Sequence, residues 1–358
     1  MIIRAILILT LAWLAGAGGL TARDAMADQS ADLIDAAKQE KEVVVWHNGP
    51  LGSEMLDPFE AKYPFIKVKT WRASSSPIIA KATEEAKMGR HSVDVILFGR
   101  IYMRYLLKAG LLDEYSWPNT KGWIAQPDHN LYRAFVQSGM IPVFNAKVIP
   151  KDEWPRTWDD LKDPKWKGRA LASSSGSDAP LRTAYLWRKN EGELNWDRSL
   201  KFWSDVIRTT KPKVGRAFAG PTEQLASGSS AIMIWNTTNT TLRAIQKGAP
   251  LRMLPVKRMV TTPAVIAIFK HAPHPNAARL FADFLTSREG VILYANAREV
   301  IPVSPELAKF STAMKQLEER GIDVESLPDE LDTDENVRKA NKLWLSELGI
   351  KGRRGTEE

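Results

Sequence analysis

Between Glu42 and Phe98 the chain switches repeatedly between a strand period and a helix period, and that alternation leaves few folds open to it. Val43-Val44-Val45-Trp46 is a continuous apolar, β-branched run bounded by polar residues, which reads as a buried strand. Ser53 caps a helix that runs to Lys62 and stops at Tyr63-Pro64. Ile66 to Trp71 alternates apolar and basic residues, a second strand. Ser74-Ser75-Ser76-Pro77 opens the next helix, with Pro77 in its first turn and Ile78, Ile79, Ala82 and Ala86 on one face. Val93 to Phe98 is the third strand, and Gly99-Arg100 is its C-terminal loop. Strands that follow one another through helices pair in parallel, so this order predicts an α/β, doubly wound sheet.

A second run of similar units follows. Lys167 to Ala172 reads as a strand, Ser173 to Asp178 as a polar loop and Pro180 to Lys189 as a helix. Pro221 to Ala226 is a short helix, and Ser230 to Trp235 is a strand leading into Asn236-Thr237-Thr238. Two apolar segments, Met140 to Phe144 and Pro263 to Phe269, flank this half and can carry the chain across and back. Ala31 to Lys41 is a helix before the first strand, and Asn276 to Leu285 is an amphipathic helix with Ala277, Phe281, Phe284 and Leu285 turned to a core. From Ser304 the tail is helical and charged, and residues 351–358 read as frayed.

The N-terminus has its own logic. Arg4 precedes an apolar run from Ala5 to Leu14, then small residues and Ala25-Met26-Ala27. This predicts a signal peptide, residues 1–27, cut after Ala27; the alternative is an uncleaved anchor. Removing it leaves 358 − 27 = 331 residues and takes away a net charge of +1 from the +8 of the whole chain. The remaining excess is spread along the sequence, so nucleic-acid binding is not indicated. The absence of cysteine excludes disulfides, zinc–thiolate sites and thiol nucleophiles.

In open α/β sheets a ligand sits beyond the carboxyl ends of the parallel strands. That rule selects His47 and Asn48 after the first strand, Arg72, Ser74, Ser75 and Ser76 after the second, and Arg100 after the third. From the second half it selects Ser174, Ser175, Gly176 and Ser177, then Trp235, Asn236 and Thr237, with Thr262 at the return segment. These side chains and their backbone N–H groups suit a polar, anionic solute; they are also what ordinary loops contain. Arg100 can grip an oxyanion, or it can turn away to pair with a carboxylate. The five histidines fall in no metal-binding spacing, and no nucleophile elbow, P-loop or dinucleotide fingerprint is present. An enzyme is therefore not expected, nor is a cofactor; a hydrolase using Ser175 and a histidine is the competing class. His274, between two prolines, reads as a solvated residue at a helix start. Trp154, Trp158, Trp166 and Trp203 read as packing residues, Trp235 as a possible ligand contact.

Longer motifs resemble those of a known family. They are Glu42 to Trp46 after a lysine-rich helix, Phe59-Glu60-Ala61-Lys62-Tyr63-Pro64, and Ser92-Val93-Asp94-Val95. Pro155 to Leu161 with Asp163 to Gly168, and Pro275 to Gly290, complete the set. The chain resembles the solute-binding proteins of ABC importers that are grouped with the ferric-iron binders. The resemblance implies two α/β lobes joined by two crossover strands, the type II periplasmic binding fold, with a ligand closing the cleft by hinge motion. Lobe one would be 28–138 with 264–303, lobe two 145–260, and 304–358 a helical segment packed on them. It implies a monomer in the periplasm that delivers a small solute to membrane permease subunits, or a sensor subunit that reports to a histidine kinase. Iron binders of the group use adjacent tyrosines after the second-lobe strand; here Asn236-Thr237-Thr238 stands there. A phosphonate, phosphate ester or carboxylate is therefore the expected solute and no metal is expected. The alternative is iron with a companion anion, using His47 alone.

Overall fold

The computed structural model describes residues 22–49, 51–127, 129–190 and 193–350. The expected signal segment lies outside these residues except for 22–27, and 351–358 lie wholly outside them. Helix α1 (Ala22–Glu40) leads into β1 (Glu42–His47), α2 (Ser53–Lys62), β2 (Lys67–Arg72), α3 (Ser75–Lys87) and β3 (Val95–Gly99). β1 pairs in parallel with β2 on one side and β3 on the other, as the alternating periods require. Gly52 rather than Ser53 caps α2, and no side chain completes the cap. No loop follows β3: Gly99 is the N-cap of α4 (Arg100–Lys108), so Arg100 is already helical.

β4 (Arg133–Asn145) then crosses into the second half, which holds β5 (Ala170–Ser173), α5 (Ala179–Leu186), α6 (Trp196–Thr210) and β6 (Lys213–Gly215). It continues through α7 (Ala219–Ala226), β7 (Ile232–Thr237), α8 (Thr238–Gln246) and β8 (Leu251–Met253). β9 (Arg258–Ile268) returns to the first half, followed by α9 (Pro275–Thr286), α10 (Arg288–Arg298) and β10 (Ile301–Pro302). The tail comprises α11 (Pro305–Ala308), α12 (Thr312–Glu318), β11 (Asp323–Ser326) and α13 (Asp334–Glu347).

The main strand order is β2-β1-β3-β9-β4-β7-β5-β6. β4 is shared: residues 133–139 pair antiparallel with β9, and 140–145 with β7 and β8. Its register with β7 shifts between Ile141 and Val143. Pro142 stands there, and without an N–H it cannot continue a ladder.

The two-residue period of the strands divides the first half into two cores. Val43, Val45, Val95, Leu97, Ile266 and Ile268 meet Phe59, Phe281 and Phe284 on one face. Trp46, Ile96, Phe98, Val265 and Ala267 meet Ile78, Met103 and Leu106 on the other. Phe59 and Phe281 pack edge to face at 5.0 Å, and burying a side chain of that size contributes about 1.5–3 kcal/mol. The second half has its own core around Ile141, Leu171, Ile232, Trp166 and Trp203, and the tail inserts Leu317, Ile322 and Trp344 into it. The tail is not only helical either: β11 pairs with β9 over Arg258 to Thr261.

His274 is not solvated. Its backbone N–H donates to Asp94 Oδ1 at 2.7 Å, and its Nδ1 lies 2.9 Å from Asp94 Oδ2. Asp94 is fully buried and also accepts from the Val44 N–H at 2.7 Å, so the histidine locks α9 to β1.

Candidate functional site

The parallel strands of the first half end at its boundary with the second. His47, the last residue of β1, is the register partner of Arg72, the last residue of β2. His47 is 4% exposed, and its Nδ1 contacts the Gly49 carbonyl. That contact makes Nδ1 the N–H donor and leaves Nε2 a bare lone pair, which has no partner. Burial lowers the His47 pKa; the Gly49 carbonyl opposes this, and the charges of Arg72 and Arg298 lower it further. The ring is therefore neutral near pH 7. Asn48 Nδ2 donates to Ser75 Oγ at 2.9 Å, tying the loop after β1 to the first turn of α3. Ser74 and Ser76 are exposed. A cavity of about 30 Å³ lined by His47, Asn48, Gly49, Phe98, Ala264 and Tyr294 has room for a water but not for a solute.

Two further arginines join this group. Arg298 ends α10 and is 7% exposed, with Glu54 Oε1 3.8 Å from its guanidinium. Its neighbour Glu299 accepts a 2.6 Å hydrogen bond from Gln246 of α8, across the boundary. Arg243 lies three residues before Gln246 on the same helix face, so α8 brings it to Arg298 from the second half. Burial holds the Arg298 pKa below its ordinary range, and the positive charges of Arg243 and Arg72 act in the same direction. Among the described residues neither Arg72 nor Arg243 has a carboxylate within ion-pair distance. Of the three guanidiniums, only that of Arg298 has a carboxylate, Glu54, within ion-pair distance.

The second half supplies hydrogen-bonding loops. Ser174 and Ser175 both donate to the Arg216 carbonyl, at 3.1 and 2.8 Å. Gly176 is wedged against Trp344 and Trp235, where a β-carbon would stand 3.0 and 3.2 Å from their rings. Trp344 Nε1 donates to the Ser173 carbonyl at 2.9 Å, so α13 supports this loop from below. Ser177 is half-buried beside it. Thr237 Oγ1 lies 2.7 Å from Thr240 Oγ1 in the first turn of α8. Arg182, 3% exposed, spans the crossover strands: it donates to the carbonyls of Ser138 and Val260, to Thr262 Oγ1 at 2.7 Å and to Asp178 Oδ2 at 2.7 Å.

Three sequence expectations need correction. Arg100 does not face a solute: its guanidinium sits 3.0 Å from Asp329 and 3.3 Å from Asp332 and donates to the Leu327 carbonyl at 2.8 Å. As the first residue of α4 its side chain meets the tail, and only its sealed Nη1 lacks a partner. Trp235 is 2% exposed and packs against Trp203 at 5.4 Å, because every position of β7 is buried. Asn236 is spent on Thr222, Thr241 and its own neighbour's N–H, a network that shapes the turn into α8. Arg243, Arg298 and Asp178 were not singled out from sequence. The available signal was a cation within two helical turns after β7 for Arg243; nothing local marks Arg298.

A family model described as bacterial extracellular solute-binding protein matches residues 54–320. No curated protein matches the chain. Iron-bound HitA from Pseudomonas aeruginosa is 15% identical, covers 86% of this chain and 99% of its own, and superimposes with a TM-score of 0.69. AfuA from Actinobacillus pleuropneumoniae, with fructose-6-phosphate bound, is 19% identical over 87% and 99% at 0.67. The substrate-binding protein of an ABC transporter from Agrobacterium tumefaciens is 16% identical over 87% and 96% at 0.72. These likenesses fix the fold as the type II periplasmic binding fold, two α/β lobes joined by crossover strands. The family consists of binding proteins rather than enzymes, and the chain belongs to it: it is a bacterial extracellular solute-binding protein.

Proposed function

We propose that this protein captures a small anionic solute, of phosphonate, phosphate-ester or carboxylate type, in the cleft between its lobes and delivers it to the permease of an ABC importer. The observation that carries this reading is the meeting of Arg72, Arg243 and Arg298 from both lobes, of which only Arg298 has a carboxylate, Glu54, within ion-pair distance among the described residues. Guanidinium forks match oxyanions in bidentate fashion, and a ligand gripped from both sides would favour the closed form. AfuA, of the same fold, is described with a sugar phosphate bound, itself an anion. The donor set argues against free ferric ion. Asn236, Thr237 and Thr238 replace tyrosines, and no group of three or more His, Asp or Glu is gathered for a metal among the described residues.

In this reading residues 1–27 direct export to the periplasm, 28–138 with 264–303 form lobe one, and 145–260 form lobe two. The mature protein acts as a monomer, and β4 and β9 carry the hinge. The test is a thermal-shift screen with inorganic phosphate, ethylphosphonate, glycerol phosphate, citrate, ferric chloride and glucose. An anion at a hundredfold excess over its Kd stabilises by about 2.7 kcal/mol. By calorimetry, Arg298→Ala and Arg243→Ala each weaken that anion by about 1.5–3 kcal/mol. Tight binding of ferric chloride with no response to anions overturns the reading.

A further inference from the structure

Among the described residues, seven buried polar side-chain atoms lack a hydrogen-bond partner, and the acceptors His47 Nε2 and Asp178 Oδ1 are two of them. The lone pair of His47 Nε2 is fixed by the contact of Nδ1 with the Gly49 carbonyl. Asp178 Oδ1 stands at the end of the Ser173–Ser177 loop. Asp178 is N-cap to α5, but its side chain makes no capping hydrogen bond. Its other oxygen is held at 2.7 Å by Arg182, whose Nη1 and Nη2 donate to both crossover strands and Thr262. The carboxylate is thus rigidly placed, with one oxygen unused. A desolvated carboxylate oxygen without a donor is costly, and charged groups pay the most. From the other lobe Tyr102, 37% exposed, stands within electrostatic reach of Asp178, and no hydrogen bond of its hydroxyl is found among the described residues. Nothing in the arginine group needs these two acceptors: an oxyanion brings only acceptors of its own.

We propose that Asp178 Oδ1, together with His47 Nε2, receives hydrogen-bond donors of the solute, so that the solute is an anion that also carries hydroxyl or ammonium groups. This rests on the anion-binding reading above and narrows it. The arginines set the affinity for the anionic group, and Asp178 discriminates among solutes that share that group. A solute without a donor leaves Asp178 Oδ1 buried and unpaired, whereas one with a donor satisfies it. Rejection of an analogue that lacks a donor is the sharper form of selectivity, because the protein's own polar group is then stranded.

The experiment is calorimetric titration of the full mature chain with matched probes: ethyl phosphate against 2-aminoethyl phosphate and 2-hydroxyethyl phosphate, and propionate against 3-hydroxypropionate. The wild-type protein is expected to prefer the donor-bearing member of a pair by about tenfold or more. Asp178→Asn, with its melting temperature checked, should erase the preference for the ammonium probe, read as the ratio of the two affinities measured on the same variant. Tyr102→Phe should leave the preference intact. Equal binding of paired probes by the wild-type chain sinks the proposal and leaves the anion reading standing. So does an Asp178→Asn variant that keeps the preference. If Tyr102→Phe erases the preference as Asp178→Asn does, Asp178 serves a tyrosine clasp between the lobes and the proposal is overturned. If no anionic probe binds, the anion reading has failed and takes the proposal with it.

Discussion

Arg100 and Arg298 both stand at helix ends on the lobe boundary, and both are nearly buried, 4% and 7% exposed. Their surroundings are opposite. Arg100 begins α4 and faces the tail, where Asp329 and Asp332 flank it; Arg104 adds ion pairs to Asp332 and Asp334, and Lys108 one to Asp334. Arg298 has one carboxylate at 3.8 Å and two arginines for company. The first region is electrostatically complete, so it holds the tail to α4 without need of a ligand. The second is short of negative charge, and a bound anion would complete it. An arginine's place after a strand end therefore says little about its role; the supply of carboxylates around it decides.

The largest expected effect lies in the paired region. Asp332 is buried against Arg100 and Arg104; burial raises its pKa, and the two arginines oppose that rise. Asp332→Ala leaves the Arg100 charge buried with only the more exposed Asp329, and should cost about 3 kcal/mol in denaturant unfolding. Anion affinity should hardly change. In the unpaired region the same kind of deletion should act in reverse. Arg298→Met should leave stability unchanged or raise it by up to about 1 kcal/mol, because it removes a poorly compensated buried charge, while abolishing most anion binding. If Arg298→Met unfolds the protein as readily as Asp332→Ala does, the contrast between the regions is false.

The smallest effect is the pH dependence of His47. Its folded pKa lies below the ordinary histidine value of about 6.5, so the neutral form is favoured in the fold. The stability this contributes is present above pH 6.5 and is lost as pH falls through the lower folded pKa. Melting temperature in the absence of anion should decline below pH 6.5, and His47→Gln should flatten that part of the profile. An unchanged slope in the variant would mean that neither burial nor the neighbouring arginines act on the ring.

Much of the fold was written in consecutive residues. The strand at Val43 to Trp46, the apolar face of Asn276 to Leu285 and both crossovers follow from local periods of two and 3.6, and β1, α9, β4 and β9 occupy those places. His47 beside Arg72, and Asn48 beside Ser75, were also legible, since parallel strands joined by helices end on the same edge of a sheet. What the sequence did not disclose was pairing at a distance. Arg100 meets Asp332 across 232 residues, Trp344 reaches beneath the Ser173 loop across 171, and α8 carries Arg243 to Arg298 from the other lobe. Periodicity is a property of neighbours along the chain, so the sequence determines which faces are buried. Whether a buried charge finds a partner depends on which distant segments arrive beside it, and only the tertiary structure decides that.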